Sequence, residues 1–460
     1  MGRIFGTDGA RGVANTDISC ELAMNIGRAT AMVVAEEIGR KPTVIIGKDT
    51  RISSNMLESA MAAGLCSVGA DVTIIGVVPT PAVAYLVAQG YADAGIMLSA
   101  SHNSYEYNGI KIFGEGGFKL SDEKEFELEA IVLDSAYPYS IRWGWEVGHI
   151  TVKEELADEY IEHIAGTVND DLSGMRILVD CSNGSASQTA EKLFSRLSAN
   201  AEILFSEPNG ININKNCGST HLVSLAERVR GEGFDIGIAF DGDADRCLAV
   251  DENGKILSGD EIMAILAICM KERGLLKNDT IVATVMSNLG FFRFGDKNKF
   301  NIESTKVGDR YVLERMRAGG FNIGGEQSGH LILSDYMPTG DGQLTAVQLL
   351  STLKQSGKKL SELAKVMKVY PQVLVGFRAD TAMKSLLATD KGADKIIKEA
   401  AEKLGNDGRI LVRPSGTEPI IRVMIEGKDE EMITALAAEV AERLEERLLQ
   451  NEEYKRLGGF

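Results

Sequence analysis

The chain has 460 residues, of which 44% are hydrophobic and 25% charged, and this composition is typical of a soluble globular protein with about three domains. Its formal net charge of −17 argues against a nucleic-acid-binding protein or one that binds anionic membranes, because such a charge repels polyanions. A small phosphorylated ligand is still compatible with this charge, since it needs only a local cluster of Arg and Lys.

The cysteines and the N-terminal segment indicate where the protein works. The six cysteines are scattered without a CxxC pair, which favours reduced thiols over a disulfide framework or a zinc site. The opening MGRIFGTDGARG carries charges throughout and lacks the apolar segment of a signal peptide. No apolar run approaches the roughly 18 residues that cross a bilayer. We therefore expect a cytoplasmic protein without membrane or nucleic-acid partners.

Strands and helices alternate through the first block of the chain. Such alternation predicts a parallel sheet with helices on both faces. Two polar loops interrupt it: IFGTDGARGV, in which Arg11 is suited to a phosphate contact, and GKDTRISS, which holds Lys48, Asp49 and Arg51. The expected strands cover residues 43–47, 72–75 and 94–98, and the expected helices cover 21–38, 54–68 and 79–87.

A polar stretch at residues 99–113, SASHNSYEYNGIKIF, follows the third of these strands. Loops at the carboxyl ends of strands are where α/β proteins usually bind ligands. This loop offers the hydroxyl of Ser101, the imidazole of His102 and the ammonium of Lys111, while Gly109 lets another backbone segment come close. An ordinary polar turn would explain its Ser and Asn residues equally well, so the stretch alone decides nothing.

An acidic motif, DGDADR, ends a predicted buried strand in the second block. It places Asp241, Asp243 and Asp245 so close together that they repel one another unless a cation lies among them. Oxygen-only ligands favour Mg²⁺ or a similar hard ion. A solvated acidic turn is the alternative, but such turns follow buried strands less often. The adjacent Arg246 is suited to bind a phosphoryl oxygen.

The third block contains GGEQSGH at residues 324–330, which we interpret as a turn between two strands. Glu326 and Ser328 are suited to bind neighbouring sugar hydroxyls, and His330 follows them. The signal is weak, because a hairpin turn with a structural histidine fits the same residues.

The fourth block, from about residue 369, is predicted to contain a helix over 382–404 and the motif RPSGTEP between two strands. A guanidinium, two hydroxyls and backbone N–H groups in one tight loop form a nest for a phosphate monoester. A plain loop would explain the Pro and Gly but not the Arg and hydroxyls. The candidate donors are Arg413, Ser415, Gly416, Thr417 and, further on, Arg422. Elsewhere, Trp143 and Trp145 are expected to pack at a domain boundary.

The four motifs, in this order, resemble the α-D-phosphohexomutase family over the whole chain. The opening FGTDGARG, the GEQSGH turn and KVGDRYVLERM at residues 306–316 are most similar to its bacterial phosphoglucosamine mutase branch. The resemblance implies three similar mixed or parallel α/β domains and a smaller C-terminal α+β domain around a central cleft. The implied domains cover residues 1–152, 153–256, 257–368 and 369–460.

The resemblance also implies a role for each motif. Ser101 would be phosphorylated and would hold Mg²⁺ together with the three aspartates. Two sequence departures stand out. Ser104 replaces the usual proline of the serine loop, which is the loop that carries Ser101 in the stretch 99–113, and Ala10 replaces a common isoleucine. The implied catalytic residues are Ser101, His102, Lys111, Arg11 and His330; the implied metal ligands are Ser101, Asp241, Asp243 and Asp245; the implied substrate-binding residues are Arg246, Glu326, Ser328, Arg413, Ser415, Gly416, Thr417 and Arg422.

The implied activity is interconversion of glucosamine 6-phosphate and glucosamine 1-phosphate through a bisphosphorylated sugar, in amino-sugar and cell-wall precursor synthesis. Three alternatives stay open at this point. They are the same chemistry on mannose or glucose phosphates, a Mg²⁺-dependent phosphatase with an aspartyl nucleophile, and a sugar-phosphate binding protein without catalysis. The resemblance also leaves a homodimer open.

Overall fold

A computed structural model describes residues 2–6, 8–136, 138–415, 419–451 and 454. The chain divides into two compact units, one formed by residues 1–287 and 298–366 and the other by 288–297 and 367–460. In the part of the chain that the structure describes, no helix combines the length and the apolar character that a bilayer crossing requires.

The first block of the larger unit is built on a mixed sheet. Its strands are β1 (Phe5–Gly6), β2 (Gly9–Val13), β3 (Thr43–Lys48), β4 (Asp71–Val77), β5 (Ala94–Leu98), β6 (Tyr107–Phe113) and β7 (Ile150–Val152), and its helices are α1 (Cys20–Ile38), α2 (Ser54–Ser67), α3 (Thr80–Ala88) and α4 (Asp122–Asp134). The strand order is β1-β2-β6-β5-β3-β4-β7. Parallel pairing joins β5, β3, β4 and β7, as predicted, whereas β6 and β2 pair antiparallel. The loop from β5 to β6 is too short for a parallel crossover.

The second and third blocks repeat this architecture with smaller sheets. The second contains α5 (Leu156–Ala165), β8 (Arg176–Asp180), α6 (Ala190–Arg196), β9 (Asn200–Leu204), α7 (Val223–Glu232), β10 (Ile236–Phe240), β11 (Cys247–Asp251) and β12 (Ile256–Leu257). The third contains α8 (Gly259–Glu272), β13 (Thr280–Thr284), α9 (Leu289–Asn298), β14 (Asn301–Thr305), α10 (Asp309–Gly319), β15 (Ile323–Gly325), β16 (Leu331–Leu333), α11 (Gly342–Ser356) and α12 (Leu360–Leu363). Of these elements, α9 lies in the smaller unit except for its last residue. The strand orders are β12-β11-β10-β8-β9 and β14-β13-β15-β16. These sheets confirm the α/β class of the three blocks.

Buried strands position the loops of interest. All residues of β5 and of β10 are buried, and both strands have parallel neighbours in their sheets. The serine loop and the acidic motif therefore begin where two rigid strands end. Between them, the backbone approaches so closely that a Cβ on Gly242 would lie 2.5 Å from the carbonyl oxygen of Ser101. Glycine at this position lets the two loops meet.

The fourth block is a small antiparallel sheet with helices, in line with the predicted α+β class. Its elements are β17 (Gln372–Arg378), α13 (Thr381–Leu387), α14 (Lys391–Leu404), β18 (Gly408–Pro414), β19 (Ile420–Gly427) and α15 (Glu430–Leu449). The strand order is β17-β19-β18. The prediction of one helix over 382–404 is wrong, because two helices occupy this range. The second begins at an N-cap, Asp390, whose carboxylate accepts the N–H of Ala393 at 2.7 Å.

The Asp390 carboxylate is expected to stabilise the C-terminal unit. It also accepts two hydrogen bonds from Arg447, each 2.9 Å long, and these lower its pKa to about 2 from 3.8. Asp390→Ala is expected to lower the free energy of unfolding by about 1–2 kcal/mol at pH 7. Since the folded pKa is the lower one, this stabilisation is present above about pH 4 and is lost as the pH falls towards 2.

Urea denaturation at pH 7 and pH 3 measures this difference. The matched control is Asp394→Ala, which removes an exposed carboxylate from the first turn of the same helix together with its pair with Lys398, and it is expected to cost less than about 0.5 kcal/mol. Equal losses in the two variants would contradict the role given to Asp390.

The prediction that Trp143 and Trp145 pack at a domain boundary is wrong for this structure. The two residues are 80% and 91% exposed. The backbone of this segment holds it against the end of α2, because the N–H of Arg142 donates to the Ser67 carbonyl and the N–H of Gly148 to the Cys66 carbonyl, both at 2.9 Å. The indoles are therefore not needed to anchor it.

Candidate active site

The hydroxyl of Ser101 lies at the centre of the candidate site. The residue is fully buried near the start of the serine loop, just after β5, and has a φ of 53°, which is uncommon for a residue with a side chain. Its Oγ donates to Oδ2 of Asp241 at 2.5 Å, and the Nδ1 of His102 lies 3.4 Å away. The structure therefore places the predicted nucleophile directly beside the predicted metal motif.

The acidic motif forms a compact cage of carboxylates. Asp241, Asp243 and Asp245 are buried, and one oxygen from each lies within 4.8 Å of the others. Burial, followed by the charges of Asp245 and Asp243, raises the pKa of Asp241 well above its usual value. Among the described residues, Oδ1 of Asp243 has no hydrogen-bond partner. A buried oxygen without a donor, in a cluster of like charges, fits a bound hard cation.

A buried ammonium balances part of this charge. Nζ of Lys111, on β6, lies 2.8 Å from Asp243, 3.1 Å from Asp245 and 3.3 Å from Asp8. Burial acts to lower the pKa of Lys111, but these carboxylates hold it well above the usual value. The residue is therefore charged and lies within reach of any group that approaches the cage.

Two guanidinium groups border the serine. Arg11 lies on β2 and pairs with Asp8, and Arg246 directly follows the acidic motif. The Nε atoms of Arg11 and Arg246 have no hydrogen-bond partner in the described part of the chain. Burial, and then the positive charges of the two arginines, lowers the pKa of His102 to about 4. This cationic surrounding suits an anionic group on the neighbouring serine.

His330 packs between two carboxylates. Its Nδ1 lies 3.5 Å from Asp245, and its Nε2 lies 3.6 Å from Asp309. Burial acts to lower its pKa, whereas the charge of Asp245 and then that of Asp309 raise it to about 9. A Cβ on Gly340 would lie 2.2 Å from the imidazole, so glycine is needed there to admit the ring.

The GGEQSGH turn joins β15 to β16, as predicted. The carboxylate of Glu326 accepts the N–H of Gly308 at 3.1 Å, and burial raises its pKa. Ser328 lies on the same turn and is half-buried. The turn therefore brings a carboxylate and a hydroxyl to the same larger unit as the serine loop.

Three further charged residues join these loops and were not assigned from the sequence. The ammonium of Lys119 pairs with both Asp8 and Asp309, and so it connects the first block to α10 in the third. Asp8 and Asp309 stand inside the motifs FGTDGARG and KVGDRYVLERM, and those motifs were the available signal. The sequence offers no comparable motif around Lys119.

The predicted phosphate nest lies in the smaller unit. Arg413 and Arg422 are directly opposite each other on β18 and β19. Burial and the charge of Arg422 lower the pKa of Arg413, so the pair suits an anion between the two arginines. The N–H of Ser415 donates to the Ile420 carbonyl, and Lys384 donates to the carbonyl of Ser415 at 2.8 Å. Gly416 and Thr417, also assigned to this nest, lie outside the described residues.

Comparison with known proteins identifies the family. Models of the four phosphoglucomutase/phosphomannomutase domains match this chain: α/β/α domains I, II and III at residues 2–138, 158–254 and 258–370, and the C-terminal domain at 352–443. The chain belongs to the phosphoglucomutase/phosphomannomutase family. It is therefore an enzyme of the phosphohexomutase class, and family members depend on a metal ion.

Relatives within the family are similar over nearly the whole chain. A protein of Acetivibrio thermocellus named phosphoglucosamine mutase is 50% identical over 97% of this chain and 100% of its own length. One of Caldicellulosiruptor saccharolyticus with the same name is 52% identical with the same coverage. A phosphoglucomutase/phosphomannomutase family protein of Burkholderia thailandensis superposes with a TM-score of 0.81 at 25% identity, covering 96% of this chain and 97% of that one. The resemblance inferred from the motifs is thereby confirmed.

Proposed function

We propose that this phosphohexomutase interconverts glucosamine 6-phosphate and glucosamine 1-phosphate. The observation that carries the chemistry is the 2.5 Å contact between Ser101 Oγ and Asp241, at the edge of a buried carboxylate cage. The choice of sugar is supported by the relatives at about 50% identity, which are named phosphoglucosamine mutase. The product would enter amino-sugar and cell-wall precursor synthesis.

In the proposed reaction, the phosphorylated Ser101 gives its phosphoryl group to a free hydroxyl of the sugar phosphate. The bond from phosphorus to Ser101 Oγ breaks as the bond to the sugar oxygen forms, and the hydroxyl proton passes to a side chain of the site. The resulting bisphosphorylated sugar turns within the site and presents its other phosphoryl group to Ser101. The bond from that phosphorus to the sugar oxygen breaks as the bond to Ser101 Oγ forms, and the freed sugar oxygen takes up a proton from a side chain of the site.

We assign proton transfer to Lys111, His102 and His330, which surround the serine and the cage. The lowered pKa of His102 leaves its imidazole neutral and able to accept a proton, whereas the raised pKa values of Lys111 and His330 keep these two groups protonated and able to donate one.

The donor set fits Mg²⁺. Oxygen-only ligands, the close spacing of the carboxylates and the unpaired Oδ1 of Asp243 all favour a hard divalent cation. We propose that Asp241, Asp243, Asp245 and the Ser101 oxygen hold it. When bound, Mg²⁺ neutralises charge on the transferring phosphoryl group.

The remaining side chains are assigned to recognition of the sugar phosphate. Arg11 and Arg246 lie where they would bind phosphoryl oxygens near Ser101, and Glu326 and Ser328 would bind sugar hydroxyls. Arg413, Ser415 and Arg422, together with Gly416 and Thr417, would bind the phosphate that is not being transferred. We further propose that the four loops belong to domains with boundaries at residues 152/153, 256/257 and 368/369, and that the enzyme works in the cytoplasm, in line with its free cysteines.

Relative turnover of three sugar phosphates tests the proposed substrate. With glucosamine 6-phosphate, kcat/KM is expected to exceed the values for mannose 6-phosphate and glucose 6-phosphate by at least about tenfold, since the C2 ammonium of glucosamine carries a charge that the C2 hydroxyl of the other two sugars lacks, and hydrogen bonds to charged groups are the stronger ones. The same purified enzyme and metal are used for all three sugars, and the 1-phosphate product of each is followed directly by ³¹P NMR. Equal or better use of mannose 6-phosphate would favour the alternative, a phosphomannomutase/phosphoglucomutase.

A further inference from the structure

The GKDTRISS loop between β3 and α2 contains a charged residue that the proposed chemistry does not use. The side chain of Arg51 is fully buried, although a guanidinium is rarely removed from water. A buried arginine persists only where its donors are satisfied. The acceptors of the hydrogen bonds from Arg51 therefore indicate the role of this residue.

Most of the donors of Arg51 reach the backbone of the serine loop. Nη2 donates to the carbonyls of Ser101 and Asn103, each at 2.9 Å. Nη1 donates to the carbonyls of Asn103 at 3.0 Å and Ser104 at 2.7 Å. One planar group thus holds three carbonyls of the loop that carries the nucleophile.

Asp49, the ion-pair partner of Arg51, fixes the N–H of Ser101 through the hydroxyl of Ser99. Nε of Arg51 donates to Oδ2 of Asp49 at 2.9 Å, and this oxygen also accepts the hydroxyl of Ser99 at 2.6 Å. The oxygen of Ser99 in turn accepts the N–H of Ser101 at 2.9 Å. The N–H and the C=O of Ser101 are both fixed by one buried pair.

The hydrogen bonds of the Arg51–Asp49 pair hold Ser101 in a backbone conformation that it would otherwise rarely adopt. Its φ of 53° lies in the left-handed region, which is populated only when the surroundings impose it. Asn214 of the second block adds bonds to the Ser101 and Asn103 carbonyls, at 2.9 and 3.0 Å. Arg51 also fixes the carbonyl of Ser104, the residue that replaces the usual proline of this loop.

We propose that Arg51, paired with Asp49, is a positioning residue for phosphoryl transfer. It holds the Ser101 backbone so that Oγ points at the carboxylate cage, and it touches neither the sugar nor the transferred group. This role rests on the proposed function, in which Ser101 exchanges a phosphoryl group with the sugar.

Arg51→Lys keeps the charge but cannot span three carbonyls with a planar fork. We expect kcat to fall about 100-fold with KM within about threefold, because misplacing the nucleophile slows the chemical step without removing a substrate contact. Mass spectrometry of single turnovers should show an equally slow transfer of phosphate from Ser101. The matched control is Arg176→Lys, whose guanidinium donates to the Glu232 and Gly233 carbonyls away from the site, and it should change kcat by less than about twofold.

If Arg51→Lys does not fold, Asn214→Asp is the second test, because Asn214 also donates to the Ser101 and Asn103 carbonyls. It keeps the size of the side chain and replaces the donor with a carboxylate oxygen, and kcat should fall about tenfold at similar KM. A kcat equal to that of the Arg176 control, in the variants that fold, would overturn the role of Arg51. If the unaltered enzyme carries and transfers no phosphate at Ser101, the proposed function itself fails. If phosphate leaves Ser101 at the same rate in the unaltered enzyme and in Arg51→Lys, the positioning role of Arg51 is overturned and the proposed function stands.

Discussion

Replacing Ser101 with alanine is expected to lower kcat by at least about 10⁴-fold, since removing a covalent nucleophile leaves only the contributions of binding and electrostatics. The substitution removes one oxygen, and the buried surroundings of the side chain should otherwise persist. Steady-state conversion of glucosamine 6-phosphate, measured at saturating substrate and Mg²⁺, checks this loss.

Ser104→Ala is the matched control, because Ser104 is an exposed residue of the same loop. It should retain activity within about twofold, as surface substitutions usually do. Full activity of the Ser101 variant would contradict the account. Together with loss of activity on replacing Asp241, it would favour an aspartyl nucleophile and the phosphatase alternative.

The second large effect is expected at the carboxylate cage. Asp243→Asn keeps the shape of the side chain but removes a charge, and we expect kcat to fall about 10³-fold. A 10³-fold fall corresponds to about 4 kcal/mol of lost transition-state stabilisation, at about 1.4 kcal/mol per factor of ten, and a weakened metal site would cause a loss of this size. Chelation of divalent cations should likewise abolish activity of the unaltered enzyme, and added Mg²⁺ should restore it.

Asp251→Asn is the control for Asp243→Asn. The Oδ1 of Asp251 accepts the N–H groups of Asn253 and Lys255, both at 2.9 Å, at the far end of β11, and asparagine keeps that oxygen. Its activity should stay within about twofold of the unaltered enzyme. Undiminished activity of Asp243→Asn in the presence of a chelator would contradict a metal site in the cage.

Local patterns predicted the central parallel strands of the first sheet and the position of each motif at a strand end, but they did not predict β2, β6 and β7. The apolar run at 94–98 and the buried strand before DGDADR are typical of parallel sheets, and the structure contains both strands. The break at Asp390 was missed because the helical periodicity continues across it, although Asp is a preferred N-cap. The exposed tryptophans were misjudged because exposure depends on the neighbouring backbone contacts, which periodicity does not reveal.

The contacts between loops could not be predicted in this way. Nothing in the spacing of Lys119 or Arg51 tells which carboxylates or carbonyls they meet, since their partners are distant in sequence. In the sequence, Arg51 lies in a polar loop and no motif singles out Lys119. The ion pairs of Lys119 and the hydrogen bonds of Arg51 form only when the fold brings distant segments together, and the same folding buries the carboxylate cage.

The central claim is that phosphorylated Ser101 transfers its phosphoryl group to the sugar and is then rephosphorylated by the bisphosphorylated sugar. Mass spectrometry of the peptide that holds Ser101, before and during turnover of glucosamine 6-phosphate labelled with ¹⁸O in its phosphate, tests it most directly. The account predicts one phosphate on Ser101 and entry of the label into that phosphate at the rate of turnover. Turnover without phosphate on Ser101, or with the label on the peptide that holds Asp241, would contradict it.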